Sequence, residues 1–280
     1  MRIATLAGRL VLVTPDERAV DAHAASGGRF GPDPMSAFAD WDAFAAWGRE
    51  ADAADAVDID RAELGPPVPR PPQVFAIGIN YREHADEAGY PPDSLPVTFT
   101  KFPSSLTGPE ATVALPPGAV DWEVELVVAI AHGGHGIRRE DAWRHVAGLT
   151  VGQDLSERVA QLAGQRPQFG LAKSHPGFSP TGPWLVTADE LADPTDLALS
   201  CALDGETMQS SRTSRMIYDI PELIARLSTV VTLLPGDIIF TGTPSGIGNA
   251  RNPKRFIEPG QTLVSTIEGI GSMRTRFTGS

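Results

Sequence analysis

Cysteine is nearly absent from the sequence, since Cys201 is the single one among 280 residues. A lone cysteine excludes an internal disulfide, and its place in the apolar run 197–203 favours a small buried side chain over a nucleophile. The chain also lacks any apolar run near the ~20 residues of a membrane-spanning helix, and residues 1–9 lack the apolar core of a signal peptide. We therefore expect a cytoplasmic protein that does not bind membranes.

Basic residues are also scarce, with 23 Lys and Arg against 35 Asp and Glu, which gives a formal net charge of −12. An extended nucleic-acid surface needs clustered Lys and Arg, so this charge balance argues against a nucleic-acid partner. A small anion would bind only where a local cation overrides the overall negative field. The composition therefore favours a metal site over a purely basic anion site.

A proline-rich segment at residues 65–72 (Gly-Pro-Pro-Val-Pro-Arg-Pro-Pro) interrupts regular structure. We place a boundary there, between a small α/β N-terminal domain (1–68) with a helix within 35–56, and a larger domain (69–280). In the larger domain short β-type runs alternate with Gly/Pro turns, and residues 221–234 show helical spacing. The predicted fold is mostly β with a few helices.

Three acidic residues alternate at the start of the strand-like run 119–131, namely Asp121, Glu123 and Glu125. Successive side chains of a strand point to opposite faces, so these three carboxylates share one face. Such crowding predicts a hard divalent cation such as Mg²⁺, because like charges this close repel each other unless neutralised. The alternative is the solvated outer face of an antiparallel strand.

Asp154 follows an apolar strand-like run, 145–153, and stands at its end in a Gly-Gln-Asp turn. A carboxylate at a strand end can serve a site, but Asp in a turn more commonly caps local backbone. Residues 155–165 then read as a helix that carries Gln161 and begins at Asp154 or Ser156 as its cap. The cap and the ligand roles of Asp154 exclude each other.

A short helix is predicted at residues 81–89, with Asn80 as N-cap and Gly89 as its stop. His84 and Glu87 lie three residues apart and therefore on one helical face, where they could form a base with an orienting carboxylate. The alternative is an exposed amphipathic turn with incidental polar pairing.

Two further segments are typical of sites. Residues 169–177 place Lys173 in a loop of small residues, where its ammonium could stabilise developing negative charge or simply be solvated. Residues 237–248 form a strand that enters a Gly-rich turn, whose backbone N–H groups could cradle an anion. The turn lacks the Gly-Lys-Ser/Thr of a nucleotide P-loop, so a carboxylate is the better-fitting anion.

Taken together, seven collinear motifs between Pro72 and Phe277 closely resemble the catalytic domain of the fumarylacetoacetate hydrolase family. The motifs are Gly-Ile-Asn-Tyr-x-x-His-x-x-Glu (78–87), Phe-Thr-Lys-Phe-Pro-Ser-Ser (99–105), Asp-Trp-Glu-Val-Glu-Leu (121–126), Gly-Gln-Asp-Leu-Ser (152–156), Leu-Ala-Lys (171–173), Gly-Pro-Trp-Leu-Val-Thr (182–187) and Pro-Gly-Asp-Ile-Ile-Phe-Thr-Gly-Thr-Pro-Ser-Gly-Ile-Gly (235–248). Each motif is weak alone, but their order and spacing are specific.

The resemblance implies the mixed β-sandwich roll of that family with a variable small N-terminal domain, and assembly as a homodimer. It implies Mg²⁺ or Mn²⁺ held by Glu123, Glu125 and Asp154, with Asp121 as a neighbour. The other implied roles are a water-activating pair on a lid helix (His84, Glu87), an active-site lysine (Lys173), a substrate-contacting amide (Gln161), a grip on the substrate carboxylate (Thr243) and a further residue facing the site (Lys101).

The expected chemistry starts from a 2-oxo acid that chelates the metal, which favours enolate formation. We predict hydrolysis of a C–C bond in a 2,4-diketo acid of the acylpyruvate type. The alternatives at the same site are oxaloacetate decarboxylation and diketo-acid isomerisation or tautomerisation. An alternative of another class is a non-catalytic protein that binds a structural cation or an anion.

One stretch departs from the family pattern. Many relatives read Asp-x-Ser/Thr-Ala-Arg-Asp where this chain has Asp-Leu-Ser-Glu-Arg-Val at residues 154–159. Glu157 and Val159 thus replace a small residue and an acid. We expect the metal ligands to be unaffected and the substrate-side wall of the pocket to differ.

Overall fold

A computed structural model describes residues 1–87 and 97–279 of the chain. Strands dominate this part. They are β1 (Arg2–Leu6), β2 (Arg9–Val13), β3 (Arg18–Asp21), β4 (Val57–Asp58), β5 (Leu64–Gly65), β6 (Val74–Gly78), β7 (Val97–Thr100), β8 (Leu106–Thr107), β9 (Thr112–Ala114), β10 (Val120–Asp121), β11 (Val124–Ile130), β12 (Val146–Gln153), β13 (Ser156–Glu157), β14 (Ser179–Val186), β15 (Ala198–Leu203), β16 (Glu206–Arg212), β17 (Ile238–Phe240), β18 (Thr262–Ile267) and β19 (Gly271–Thr278).

The helices are short. The α-helices are α1 (Ala22–Ala25), α2 (Trp41–Glu50), α3 (Arg82–Glu87), α4 (Arg158–Leu162) and α5 (Ile220–Ser228). Single 3-10 turns lie at Pro34–Ala39, Arg61–Glu63, Pro103–Ser105, Arg139–His145, Leu171–Lys173, Ala188–Glu190, Thr213–Arg215 and Gly248–Ala250. In the described part of the chain, no helix has both the length and the apolar character needed to cross a membrane.

The largest sheet runs in the order β4-β3-β2-β1-β14-β12-β11-β17-β6-β7, with β5 added beside β1 and β8 beside β14. Strands of the first 65 residues continue it directly, because β1 pairs antiparallel with β14 through Arg2 opposite Val186. Strands β1 and β2 form an antiparallel hairpin. The proposed boundary between residues 68 and 69 stays a prediction.

Strand β11 lies at the centre of this sheet, between β12 and β17. All seven of its residues are buried, and alternate residues enter two different cores. Val124, Leu126 and Val128 pack into one core, whereas Val127 and Ala129 pack into the other. The period of two in strand side chains therefore explains why an almost continuous apolar run is needed here.

Each face of the sheet is covered by a different layer. A second sheet, in the order β16-β15-β18-β19-β9, covers one face through the core that contains Leu199, Cys201 and Leu263. Residues of the N-terminal region, including Phe38 and Phe44, pack into the core on the other face. The result is the sheet-rich fold with few helices predicted from the sequence, and its layers form an open sandwich.

The predicted helices exist, with shorter bounds. The helix expected within 35–56 is a 3-10 turn followed by α2, and the helix expected at 221–234 is α5, which begins after its cap Asp219 and ends at Ser228. Cys201 is buried, as expected. Gly89, the predicted stop of the helix that carries His84, lies outside the described residues.

Candidate metal centre and active site

The acidic strand residues are all buried, so the solvated-face alternative is wrong. Asp121, Glu123 and Glu125 are 0%, 6% and 1% exposed. The strand breaks at Trp122 and Glu123, between β10 and β11, where the Glu123 amide donates to the Gln153 side chain at 2.8 Å. This break brings Glu123 beside Asp154, whose amide donates to the Glu123 carbonyl at 2.9 Å.

The structure brings together the three carboxylates that the resemblance selects as ligands. One oxygen each from Glu123, Glu125 and Asp154 lies within 4.8 Å of the other two. Asp121 is held apart, because it accepts hydrogen bonds from the Gly248 and Asn249 amides at 2.7 and 2.9 Å. Its carboxylate thus serves the framework beside the cluster.

Three buried cations face these acids. Lys173 donates to Glu123 and Asp154 at 2.7 and 2.6 Å, which excludes the solvated alternative for this lysine. Lys101 contacts Asp154 and donates to the Phe178 carbonyl at 3.2 Å. The ammonium groups therefore fix the Asp154 carboxylate, which does not cap the following helix.

Arg158 is the third cation, and no role was predicted for it from the sequence. Its Nε donates to Asp121 at 2.9 Å, its Nη2 to Glu123 at 2.6 Å and its Nη1 to Gln161 at 2.7 Å. The signal for it was present, because an arginine one turn after an acidic strand end can complement the buried acids. Gln161, which was predicted to contact the substrate, accepts a hydrogen bond from this guanidinium.

The electrostatics of the cluster separate its carboxylates. Burial alone would raise the pKa of Glu123, but the charges of Lys173 and Arg158 lower it to about 2. Burial, together with the charges of Asp154 and Glu123, raises the pKa of Glu125 well above its ordinary value. Among the described residues, no cationic side chain forms an ion pair with Glu125. Among the carboxyl groups of the cluster, Glu125 is therefore the one whose charged form is least compensated by cations of the described residues.

Helix α3 places His84 and Glu87 as a hydrogen-bonded pair. Nδ1 of His84 lies 3.1 Å from Oε2 of Glu87, and the imidazole is 6% exposed, so the pair is not an exposed turn with incidental contacts. Glu87 also accepts a hydrogen bond from the Gly246 amide at 3.1 Å. This hydrogen bond fixes the Glu87 carboxylate against the Gly-rich turn.

A cavity of about 190 Å³ opens beside the cluster. Its polar lining residues include His84, Glu123, Lys173 and Thr243. The described lining residues are Ile77, Gly78, Ile79, His84, Phe99, Glu123, Arg158, Gln161, Leu162, Pro167, Phe169, Lys173, Thr243, Ile247 and Asn249. Lys101 is not among them; its predicted contact with substrate stays a prediction.

The Gly-rich turn binds carboxylates of the protein itself. Its backbone amides at Gly242, Gly246 and Gly248 donate to Glu125, Glu87 and Asp121. An anion cradle was expected here, and the anions that fill it in this structure are side chains of the site.

Thr243 lines the cavity, but its hydroxyl has internal partners. The hydroxyl donates to the Val124 carbonyl at 2.9 Å and accepts from Gln209 at 2.8 Å. Its single proton is therefore already used within the protein. The predicted grip of Thr243 on a substrate carboxylate stays a prediction.

Helix α4 begins one residue later than a cap at Ser156 would place it and three residues later than a cap at Asp154 would. Its N-cap is Glu157, whose carboxylate accepts from the Val159 and Ala160 amides at 2.9 and 2.6 Å, so the expected caps Asp154 and Ser156 were wrong. Val159 is 62% exposed. At the two positions that depart from the family pattern, this chain thus has a helix cap and a surface side chain, and neither is among the described residues that line the cavity.

Known proteins are similar to this chain over the region that contains the site. Residues 73–278 match the family model described as fumarylacetoacetate (FAA) hydrolase, C-terminal. The mitochondrial oxaloacetate tautomerase FAHD2A of Bos taurus is 45% identical over 207 residues, which are 73% of this chain and 66% of the relative. This chain therefore spans just under two thirds of that relative's length.

Solved structures extend the likeness to the whole chain. A Mycobacterium smegmatis protein provisionally described as HpcE is 54% identical, with a TM-score of 0.94 over the full length of both chains. Maleylpyruvate hydrolase from Sphingobium sp. SYK-6, solved with manganese(II) and pyruvate, is 29% identical with a TM-score of 0.78, also over the full length of both. The chain therefore belongs to the fumarylacetoacetate hydrolase family of enzymes, as its motif order predicted.

Proposed function

We propose that this chain is a divalent-metal-dependent enzyme that interconverts the keto and enol forms of oxaloacetate. The observation that carries the proposal is that His84, Glu123 and Lys173 line one small cavity. Its volume of about 190 Å³ suits a substrate of few carbons, because pockets for drug-sized ligands run from about 300 Å³ upwards. The name of the bovine relative supports oxaloacetate as that substrate.

The residues fit a Mg²⁺ or Mn²⁺ ion held by Glu123, Glu125 and Asp154. Their oxygens lie within 4.8 Å of one another, and oxygen-only donors are those that Mg²⁺ and Mn²⁺ prefer. The raised pKa of Glu125, whose charged form has no ion-pair partner among the described residues, supports the same assignment, as does manganese in maleylpyruvate hydrolase. When bound, the ion would supply a Lewis acid that polarises the keto oxygen of a 2-oxo acid.

His84 is the proposed proton carrier. Nδ1 of His84 is hydrogen-bonded to Glu87, and in the described part of the chain no residue hydrogen-bonds to Nε2. Nε2 is therefore the ring nitrogen that exchanges a proton with C3 of the substrate. Glu87 stabilises the imidazolium formed when Nε2 takes that proton.

Lys173 is the proposed stabiliser of the enolate. Its ammonium has three protons, and Glu123 and Asp154 accept two of them. The third proton can be donated in a hydrogen bond to the enolate oxygen as negative charge develops there, and the proton that Nε2 of His84 took from C3 is then returned to that oxygen to give the enol. A structural cation would need neither this donor nor the dyad, which argues against a non-catalytic role.

Hydrolysis of an acylpyruvate, the reaction predicted from the sequence, is the second candidate. The His84–Glu87 pair favours it, because the same base could deprotonate a water that attacks the distal carbonyl. Similarity to maleylpyruvate hydrolase supports it as well. Decarboxylation of oxaloacetate would use the same enolate and release CO₂.

One experiment separates these reactions. The purified protein with Mn²⁺ is given enol-oxaloacetate or acetylpyruvate, and ultraviolet absorbance, pyruvate release and CO₂ release are followed together. Tautomerase activity predicts loss of the enol absorbance of oxaloacetate without pyruvate. Pyruvate from acetylpyruvate would identify a hydrolase, and pyruvate with CO₂ from oxaloacetate a decarboxylase.

The matched variants are His84→Ala and His132→Ala. His132 forms a comparable pair with Asp42 at 3.1 Å on the exposed surface, and it is not among the lining residues of the cavity. We expect the first variant to lose about 10²- to 10⁴-fold in rate and the second to keep it. Wild-type activity in His84→Ala would refute the base role.

A homodimer is the proposed assembly, and light scattering after size exclusion measures it directly. A monomeric mass in active protein would contradict it. Cytoplasmic location stays a prediction from the sequence.

A further inference from the structure

Helix α3 carries the dyad but cannot hold it in place alone. Its described part, Arg82–Glu87, has six residues, and isolated helices shorter than about 12 residues are marginal in water. At the last described residue of the helix, the Glu87 carboxylate accepts from the Gly246 amide. The position of His84 therefore depends on what fastens the other end of the helix.

Asn80 provides that fastening. Its Nδ2 donates to the Tyr218 carbonyl at 2.9 Å and to the Thr241 carbonyl at 2.7 Å, and its Oδ1 accepts from the Tyr218 amide at 2.9 Å. Its backbone carbonyl accepts from the Ile217 amide at 2.7 Å. The side chain is 0% exposed and is saturated by backbone, so it does not act as the helix cap expected from the sequence.

The Thr241 bond connects the helix to the carboxylate cluster by a short path. Gly242 follows Thr241, and its amide donates to Glu125 at 2.7 Å. The close approach requires glycine, because a Cβ at position 242 would lie 2.7 Å from Cβ of Asn80 and φ is +101° there. Asn80 thus joins the segment that holds Glu125 to the segment that carries His84.

The backbone before Asn80 is held in an unusual conformation. Ile79 has φ of +60°, which is rare for a β-branched residue. Ile79 also lines the cavity. Strained backbone persists only where surrounding structure enforces it, and the hydrogen bonds of Asn80 are the enforcing contacts next to it.

We propose that Asn80 is a positioning residue that sets the placement of His84 relative to the carboxylate cluster. Asn80 is not among the described residues that line the cavity, so it acts through His84 and not on the substrate. The inference rests on the proposed base role of His84. The proposal is that the two amide protons of Asn80, and not only the volume of its side chain, are needed for the wild-type kcat.

A double-mutant cycle tests the inference at saturating Mn²⁺. Asn80→Ala should lower kcat by about 10²-fold in the wild-type background, because small displacements of a catalytic group are that costly. In the His84→Ala background the same change should cost less than about twofold, since the group it positions is gone. Equal losses in both backgrounds would overturn the inference.

Asn80→Asp separates the donors from the packing. The substitution keeps the shape and the acceptor for the Tyr218 amide, but it removes both protons given to the Tyr218 and Thr241 carbonyls. We expect kcat to fall at least about tenfold. Gln73→Ala is the matched control, because it removes an amide that bridges Thr232 and Asp237 away from the cavity, and it should keep wild-type kcat. Wild-type kcat in Asn80→Asp would show that packing alone matters.

A measurement on the wild-type protein keeps the test valid if the Asn80 variants do not fold. NMR-detected exchange should show the Tyr218 and Ile217 amides protected together with the Ala85 amide of α3. Fast exchange of the Tyr218 amide in the folded protein would overturn the inference that Asn80 anchors helix α3 through its hydrogen bonds. If His84→Ala keeps full activity, the proposed function fails, whereas this exchange result still decides the role of Asn80.

Discussion

Arg158 donates from Nη2 to Oε1 of Glu123 at 2.6 Å in a buried ion pair. The other oxygen of Glu123 accepts from Lys173, so both of its oxygens are oriented by cations of the protein. In the proposed metal site, these partners would orient the Glu123 carboxylate as a ligand.

Arg158→Lys should therefore weaken Mn²⁺ binding by about 10- to 100-fold, as loss of partners behind a metal ligand generally does. Lysine keeps the charge but lacks the fork that reaches Asp121, Glu123 and Gln161 together. Isothermal titration with Mn²⁺ measures the effect. Arg212→Lys, which alters a surface pair with Asp196, is the control, and equal affinities for both variants would contradict the argument.

Thr243→Val should lower the free energy of unfolding by about 1–3 kcal/mol, because it leaves the Val124 carbonyl and the Gln209 amide without their buried partner. Thr243→Ser keeps the hydroxyl and should keep the stability. Denaturant unfolding measures both. If Thr243 instead grips the substrate through its proton, Thr243→Val would raise KM strongly while stability stays at the wild-type value.

Gly248→Ala should disturb both folding and metal binding. A Cβ there would lie 1.8 Å from the Arg255 carbonyl and 2.8 Å from Oδ1 of Asp121, so the backbone that holds Asp121 must move. We expect a loss of about 1–3 kcal/mol or more, together with weaker Mn²⁺ binding. Gly136→Ala is the control, because its Cβ meets nothing within 4 Å; it should lose stability through its φ of +67° but bind Mn²⁺ normally.

Cys201 should make stability depend on alkaline pH. Burial raises the pKa of its thiol to about 12. The pKa of the thiol is higher in the folded than in the unfolded protein. The free energy of unfolding is therefore unaffected by this thiol below about pH 8.5, and it falls as the pH rises toward 12, because the unfolded chain ionises first. Between pH 7 and 10 the wild type should lose about 2 kcal/mol more than Cys201→Ala in urea unfolding. Parallel pH profiles for the two proteins would contradict this.

Local pattern was a reliable guide where one short stretch of chain decides the outcome. The three-residue spacing of His84 and Glu87 and the apolar run of β11 reflect periodicities of single elements, whereas the break between β10 and β11 divides the alternation of Asp121, Glu123 and Glu125. The order of seven motifs identified the family and its sheet-rich fold. Cap assignments were less reliable, because several polar residues near each end compete for the same amides, as Glu157 did at α4.

The roles of several groups could not be read from neighbouring residues. Asn80 next to a helix resembles a cap, yet its amide binds backbone from 138 and 161 residues further along the chain. The amides of the Gly-rich turn are directed at Glu87, Glu125 and Asp121 of the protein, and only long-range packing decides that.

The sequence by itself determined which side chains offer carboxylate oxygens, an imidazole and an ammonium, and it predicted that His84 and Glu87 share one helical face, since the helix period is a local property. Only the tertiary structure decided that Asp154, Glu123, Arg158 and Lys173 meet in one buried cluster beside His84. Their convergence depends on strand order and on the bonds that close segments distant in sequence, and those are properties of the whole packed chain.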